Sequence, residues 1–228
     1  MKDSPVGADA LKRLLVVFGK RTAHEILATA QSAYGSFFSQ FIVLYFDHQL
    51  EEASRLSSVP VGYDEIFYCI GVIDYGLRSA IEKAATDYGM VPFTIIHPTA
   101  VVDPSANIGA GCFIGPLTAI SIAANISNHT IVHMHCSIGH DSQVGCHCVI
   151  LPGARISGDV SLGEGVLIGS NAFVFQGSSV GEHTHVDALT YVRGSIDSGQ
   201  IVSVRWPHAI KRVGWKADQT STRENREG

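Results

Sequence analysis

The sequence predicts two architectures in one chain: an α/β unit up to about residue 90, then a long coil of stacked short strands, the whole class being α/β followed by all-β. Three observations carry this. Apolar runs alternate with helical stretches before Val91, every sixth residue from Ile96 to Val192 is Ile, Val or Leu, and the place two before each of these from Ala100 to Thr190 holds only Ala, Cys, Thr, Ser or Val.

In the first unit, Leu14 to Phe18 is a continuous apolar run of strand length, and Ala23 to Ala33 has helical spacing. Phe41 to Phe46 and Ile66 to Gly71 are two further strand-like runs, and Leu77 to Tyr88 returns to helical spacing. Strands separated by helices imply a parallel sheet. From Val91 on, a six-residue period is too short for a helix pair, and aliphatic residues alternating with small ones suit a coil whose narrow interior they fill. Glycine often follows the aliphatic residue, as at Gly109, Gly115, Gly139, Gly145, Gly163, Gly169 and Gly181, so the period is stereochemical. No insertion breaks the register before Val192, after which the chain is expected to leave the coil through Ile196 to Val213, with Gly214 to Gly228 as a polar tail.

Composition narrows the function. The chain has 228 residues, 46% of them hydrophobic and 16% charged, enough to bury a real core. A formal net charge of -5 shows no basic excess, which argues against a nucleic-acid groove or an anionic membrane surface, and leaves a small ligand as the expected partner. No stretch has the apolar length of a membrane span, and the polar start Met1 to Asp9 lacks the pattern of a signal peptide, so a cytoplasmic location is expected. Five cysteines without a CxxC signal neither a disulfide framework nor a four-thiolate zinc site.

Histidines are frequent after residue 128. His129, His147 and His183 share one phase of an 18-residue coil and are expected in one column, as polar turn or intersubunit residues. More specific is Ile138-Gly-His140-Asp141-Ser-Gln-Val-Gly145, followed by Leu151-Pro-Gly-Ala-Arg-Ile-Ser-Gly-Asp-Val160-Ser-Leu-Gly163.

With these stretches the chain resembles the hexapeptide-repeat acyltransferases and, within them, the bacterial nucleotide-amino-sugar N-acetyltransferases and sialic acid O-acetyltransferases of the PglD and NeuD type. The resemblance implies a Rossmann-like domain at 1–90 that binds a nucleotide sugar, a left-handed parallel β-helix with a C-terminal extension at 91–213, and a tail at 214–228. It also implies a homotrimer, acetyl-CoA as co-substrate, no metal, and a role in polysaccharide or glycan biosynthesis. On the I-x-H-[DE]-x-x-x-G motif, His140 is the implied general base and Asp141 its acidic helper. An imidazole titrating near neutrality suits the removal of a proton from an attacking amine or hydroxyl, and a carboxylate beside it stabilises the imidazolium.

Around the acetyl-CoA site the resemblance implies Gly158 and Ser170 as small lining residues, and puts Val149 where the family often has a second histidine. The C-terminal G-x-P-A-K pattern survives only loosely, as Arg205-Trp-Pro-His-Ala-Ile-Lys211. The family's Gly-rich loop after the first strand is replaced by Gly19-Lys20-Arg21-Thr22-Ala23-His24-Glu25, where the charges of Lys20 and Arg21 take the place of backbone donors at a phosphate. Asp47 and His48 stand for the acidic pair after the second strand, and Gly71 follows the third. Two other classes remain on the residues. A γ-class carbonic anhydrase is opposed because the pairs Asn128 with His133 and His140 with Gly145 each lack one ligand, and a non-catalytic scaffold is favoured by the altered loop and by Val149.

Overall fold

The computed structural model describes residues 11–45, 56–206 and 208–211. Strand β1 (Arg13–Gly19), helix α1 (Arg21–Tyr34), strands β2 (Gln40–Leu44) and β3 (Glu65–Gly71), helix α2 (Tyr75–Asp87) and strand β4 (Val91–Pro92) form the first unit. The four strands make one parallel sheet in the order β2-β1-β3-β4, as the alternation of apolar runs and helices predicts. The central strand β1 is apolar on both sides because both are covered. Leu14, Val16 and Phe18 pack with Ile81 and Ala85 of α2, whereas Leu15 and Val17 pack with Ala23, Ile26 and Ala30 of α1. Asp74 caps α2 by accepting a hydrogen bond from Leu77 N at 2.9 Å, but Lys20 gives α1 no side-chain cap.

Beyond Pro92 the chain winds as two-residue rungs on three parallel faces, each rung pairing with the one a full coil away. The first residue of each rung points outward and the second, the repeating aliphatic, points in, so Ile114, Ile120, Ile126, Val132 and their successors stack into one continuous core. The outward residues distinguish the faces. An apolar face carries Ile95, Phe113, Ile131, Val149 and Leu167, a polar face Asn107, Asn125, Gln143, Ser161 and Ser179, and a mixed face Val101, Ala119, Ser137, Arg155, Phe173 and Tyr191.

The small residues of the repeat sit buried at the corners, where many donate hydrogen bonds to the next coil's main chain. Thr118 Oγ1 donates to His133 O at 2.7 Å, Ser142 Oγ to Ser157 O at 2.8 Å and Cys148 Sγ to Gly163 O at 3.1 Å. Every sixth residue from Gly111 to Leu189 has a positive φ, and most of these are not glycine. The glycines that follow the aliphatics answer a different need: a Cβ on Gly139 would lie 2.4 Å from Ser157 C, and one on Gly169 2.3 Å from Ala188 N. Space between coils, rather than φ, demands them.

The coil does not end at Val192, contrary to the expectation from the repeat. Ser195–Ile196 and Gln200–Val202 are further rungs, and Ile210–Lys211 then pairs antiparallel with the last. The register is interrupted because this final coil is shortened: Ser179 bonds Ser195 across 16 residues, where earlier neighbours such as Asn107 and Asn125 are 18 apart. Gly194, at φ 86°, makes the tightened turn.

The first unit packs on the apolar face. Leu15, Val17, Cys69, Ile95, Phe113, Ile131 and Val149 form one buried cluster, and each fully buried aliphatic or aromatic side chain there contributes about 1.5–3 kcal/mol. His129 and His147 stand at corner turns, as the column predicts, but they face the first unit and are buried against it. Tyr68 stacks on His129 with ring centroids 5.6 Å apart, His129 on His147 at 5.3 Å, and Glu82 lies 3.2 Å from one Nε2 and 2.7 Å from the other. The same column has glycine at Gly165, where the Tyr75 ring enters and also contacts His183 at 4.4 Å. The described cysteines are free, and burial pushes the Cys69, Cys112 and Cys148 thiols up to about 12.

Candidate functional site

Two surfaces gather the candidate residues. The first is the corner between the mixed and polar faces. Ile138 points inward, Gly139 lies against the next coil, and Asp141 takes φ 59° with its N–H bonded to Ile122 O at 3.0 Å, which turns the carboxylate back over His140. The result is a 2.9 Å contact between His140 Nδ1 and Asp141 Oδ2, with side chains 49% and 57% exposed. A carboxylate at Nδ1 favours the tautomer with its proton there and leaves Nε2 as the base. Nε2 lies over Gly158, where a Cβ would come within 2.3 Å of it. Gly158 is buried, and its missing side chain makes room for the imidazole.

Asp159, which the motif did not single out, completes this corner. Its carboxylate, that of Asp141 and an imidazole nitrogen of His140 lie within 4.8 Å of one another, and Gln176 Nε2 donates to Asp159 Oδ2 at 3.3 Å. Asp159 stands one coil above Asp141 in the same column, so the 18-residue period was the signal that pointed to it.

The second surface is a cleft of about 560 Å³ at the C-terminal ends of β1 and β3. Gly19, Lys20, Arg21 and Gly71, scattered in sequence, come together here with Ile73, Asp74 and Tyr75, and Gly165, Leu167 and His185 of the coil form the opposite wall. This is where the strand order reverses about β1 in the parallel sheet, the place at which such sheets offer a crevice. Gly19 and Gly71 are required by close packing. A Cβ on Gly19, at φ 134°, would sit 2.3 Å from Gly71 O, and one on Gly71 2.7 Å from Ala23 N. The uncapped N-terminus of α1 has no acidic residue in its first turn, so its free N–H groups and the exposed Lys20 and Arg21 together favour an anion.

Two sequence expectations stand elsewhere, and a third cannot be placed. Val149 is 1% exposed in the cluster between the two units, so a side chain there meets the first unit rather than a thioester; this corrects its placement beside acetyl-CoA. Ser170 lies at the corner between the apolar and mixed faces, away from the His140 corner of the same chain. Asp47 and His48 fall outside the described residues, as do Pro207 and the tail from residue 212. No described helix is long and apolar enough to cross a membrane.

Residues 141–176 match the family described as bacterial transferase hexapeptide (six repeats). None of the curated proteins compared matches the chain. Among solved structures, the acetyltransferase domain of PglB from Neisseria gonorrhoeae FA1090 is 23% identical with a TM-score of 0.75, over 85% of this chain and 97% of that one. WeeI from Acinetobacter baumannii AYE is 16% identical with a TM-score of 0.75, over 87% of this chain and 100% of its own. PerB from Caulobacter crescentus, solved with CoA and GDP-perosamine, is 20% identical with a TM-score of 0.61, over 85% of this chain and 95% of its own. The chain therefore carries the transferase hexapeptide repeat, wound as a left-handed β-helix, within the fold that these structures share.

Proposed function

We propose that the protein transfers the acetyl group of acetyl-CoA to the amine of an amino sugar carried on a nucleotide. The carrying observation is the cleft, where Lys20, Arg21 and the open N-terminus of α1 converge beside Gly19 and Gly71 in a fold whose PerB example was solved with CoA and a nucleotide-linked amino sugar. In this reading the chain to about residue 90 is a Rossmann-like acceptor unit, 91–213 is the transferase unit and 214–228 is a tail.

His140 acts as the base. Asp141 holds the Nδ1 proton, so Nε2 takes the proton of the acceptor amine as its nitrogen bonds the thioester carbonyl carbon. The C–S bond then breaks, and the imidazolium returns the proton to the CoA thiolate. Acetylated sugar and CoA leave, and the histidine is neutral again.

Within one chain, the His140 corner and the cleft lie at different corners of the coil, so the working form is a homotrimer. The mixed face supports this. It leaves Val101 70% and Tyr191 55% exposed, with Leu117 and Leu189 exposed along one edge and Ile122 and Phe175 along the other. Three copies turning this face to a common axis set the His140 corner of one beside the Ser170 corner of the next.

The test is thiol release from acetyl-CoA with a panel of UDP-, GDP- and dTDP-linked 4-amino sugars, run on the wild type and His140→Ala. Turnover with a panel member, lost in the variant, is expected. Turnover indifferent to His140 rejects the mechanism, and no turnover with any member favours a binding scaffold.

A further inference from the structure

Helix α2 carries a fully buried arginine whose guanidinium is used on main-chain carbonyls from both units. Arg78 Nη1 donates to Ile70 O at 3.3 Å and Val72 O at 2.5 Å, and Nη2 donates to His129 O. The first two carbonyls belong to the end of β3 and the loop that follows it, and that loop, Gly71 to Asp74, forms one wall of the cleft. The third belongs to a corner of the coil, part of the body that supplies the opposite wall.

Arg78 is the middle of a stripe at helical spacing. One turn before it, Tyr75 OH donates to Glu164 Oε1 at 2.7 Å; one turn after it, Glu82 meets His129 and His147. Burial lowers the Arg78 pKa to about 10, so the side chain remains a cation at neutral pH.

Burying a guanidinium carries a desolvation cost that its hydrogen bonds offset, and its removal would leave three main-chain carbonyls without this donor. What a planar guanidinium supplies, and a methionine does not, is a rigid fork that fixes several acceptors relative to one another.

We propose that Arg78 is a positioning residue for the acceptor: it fixes the Gly71–Asp74 wall against the coil and so sets the width of the cleft over Gly165, Leu167 and His185. This rests on reading the cleft as the acceptor site. The expected phenotype is weakened acceptor binding with the acetyl-CoA side of the reaction intact.

The experiment compares wild type, Arg78→Met and Arg78→Lys. It measures thermal melting, calorimetric affinity for UDP, GDP and dTDP, and KM for acceptor and for acetyl-CoA. Arg78→Met is expected to melt below the wild type while staying folded at the assay temperature, to bind nucleoside diphosphates tenfold or more weakly with acceptor KM raised to match, and to keep its KM for acetyl-CoA. Arg78→Lys, which keeps the charge but not the fork, is expected to fall between, and it decides the matter should Arg78→Met fail to fold. Wild-type nucleotide binding that survives in the folded variants overturns the proposal, as does a loss that disappears when the assay is cooled well below each variant's melting temperature or that strikes both substrates alike. A wild type that neither binds a nucleoside diphosphate nor turns over a nucleotide sugar overturns the acceptor reading itself, and the role of Arg78 with it.

Discussion

The two units of this molecule are stabilised in different ways. In the coil, a single arrangement recurs: an inward aliphatic, a small corner residue bonded to the next turn, and a left-handed residue three places after the aliphatic. Each rung depends on its neighbours, and a ligating or catalytic side chain can be hung on an outward place without altering the core. The first unit has no such redundancy. Its cleft depends on single residues, such as Gly19 and Gly71, whose backbones approach too closely for any side chain. The proposed chemistry sits at one corner of a repeating frame, and the proposed recognition in a frame that does not repeat.

Four measurements break or sharpen this contrast. His140→Ala, at an exposed corner, is expected to lower acetyl transfer by about 10²–10⁴ while leaving the melting temperature unchanged; a lost fold would show that the corner supports the coil. Lys20→Ala with Arg21→Ala acts on the other unit. Charge-assisted hydrogen bonds are worth about 1.5–3 kcal/mol each, so acceptor KM should rise about tenfold to a hundredfold per residue, with KM for acetyl-CoA unchanged. An unchanged acceptor KM would remove the phosphate role from that loop.

The junction between the units should respond to acid. Burial holds the imidazoles of His129, His133 and His147 below the ordinary histidine value. The unfolded chain, with imidazoles titrating near about 6.5, then binds those protons more readily than the fold does. Their contribution is full above that pH and is lost as pH falls through it towards the folded values, at up to about 1.4 kcal/mol per pH unit for each imidazole. Melting followed from pH 8 to 5 should show the decline, and a flat profile would contradict their burial. The smallest effect is expected from Gly177→Ala. The added methyl meets nothing within 4 Å, so only the left-handed φ of 70° opposes it, and chemical denaturation should report about 1 kcal/mol. A loss several times larger would mean that corner φ values are set by packing.

Legibility in the sequence follows the same division. The interior of the coil is readable because one constraint recurs every six residues, and the first unit is readable because β1 is covered on both sides and so is apolar from Leu14 to Phe18. The docking of the units is not readable. An outward Phe113, Ile131 or Val149 has the same appearance whether a domain, a subunit or a ligand covers it, and Val149 was expected beside acetyl-CoA only because the family often has a histidine at that place. His129 and His147 were legible as a column, but their partner Glu82 lies on a helix with no period in common with the coil. Tyr75 and His185 enter the cleft from separate units and carry no local motif. Asp159 was within reach of the period, one coil beyond Asp141.

The parallel ladders also give the molecule an internal gauge. Successive coils are separated by one strand spacing, about 4.8 Å. The first unit is anchored at several heights on this scale: Cys69 reaches Gly111 O, Arg78 reaches His129 O and Tyr75 reaches Glu164. Removing one whole coil between these anchors would preserve every inward and outward placement, yet bring Glu164 and Gly165 one step closer to His129. Tyr75 and Arg78 hold partners two coils apart, and a removed coil would shift one of these contacts by about 4.8 Å. The coils under the first unit are thus tied to it at several heights, and the shortened final turn lies beyond these anchors.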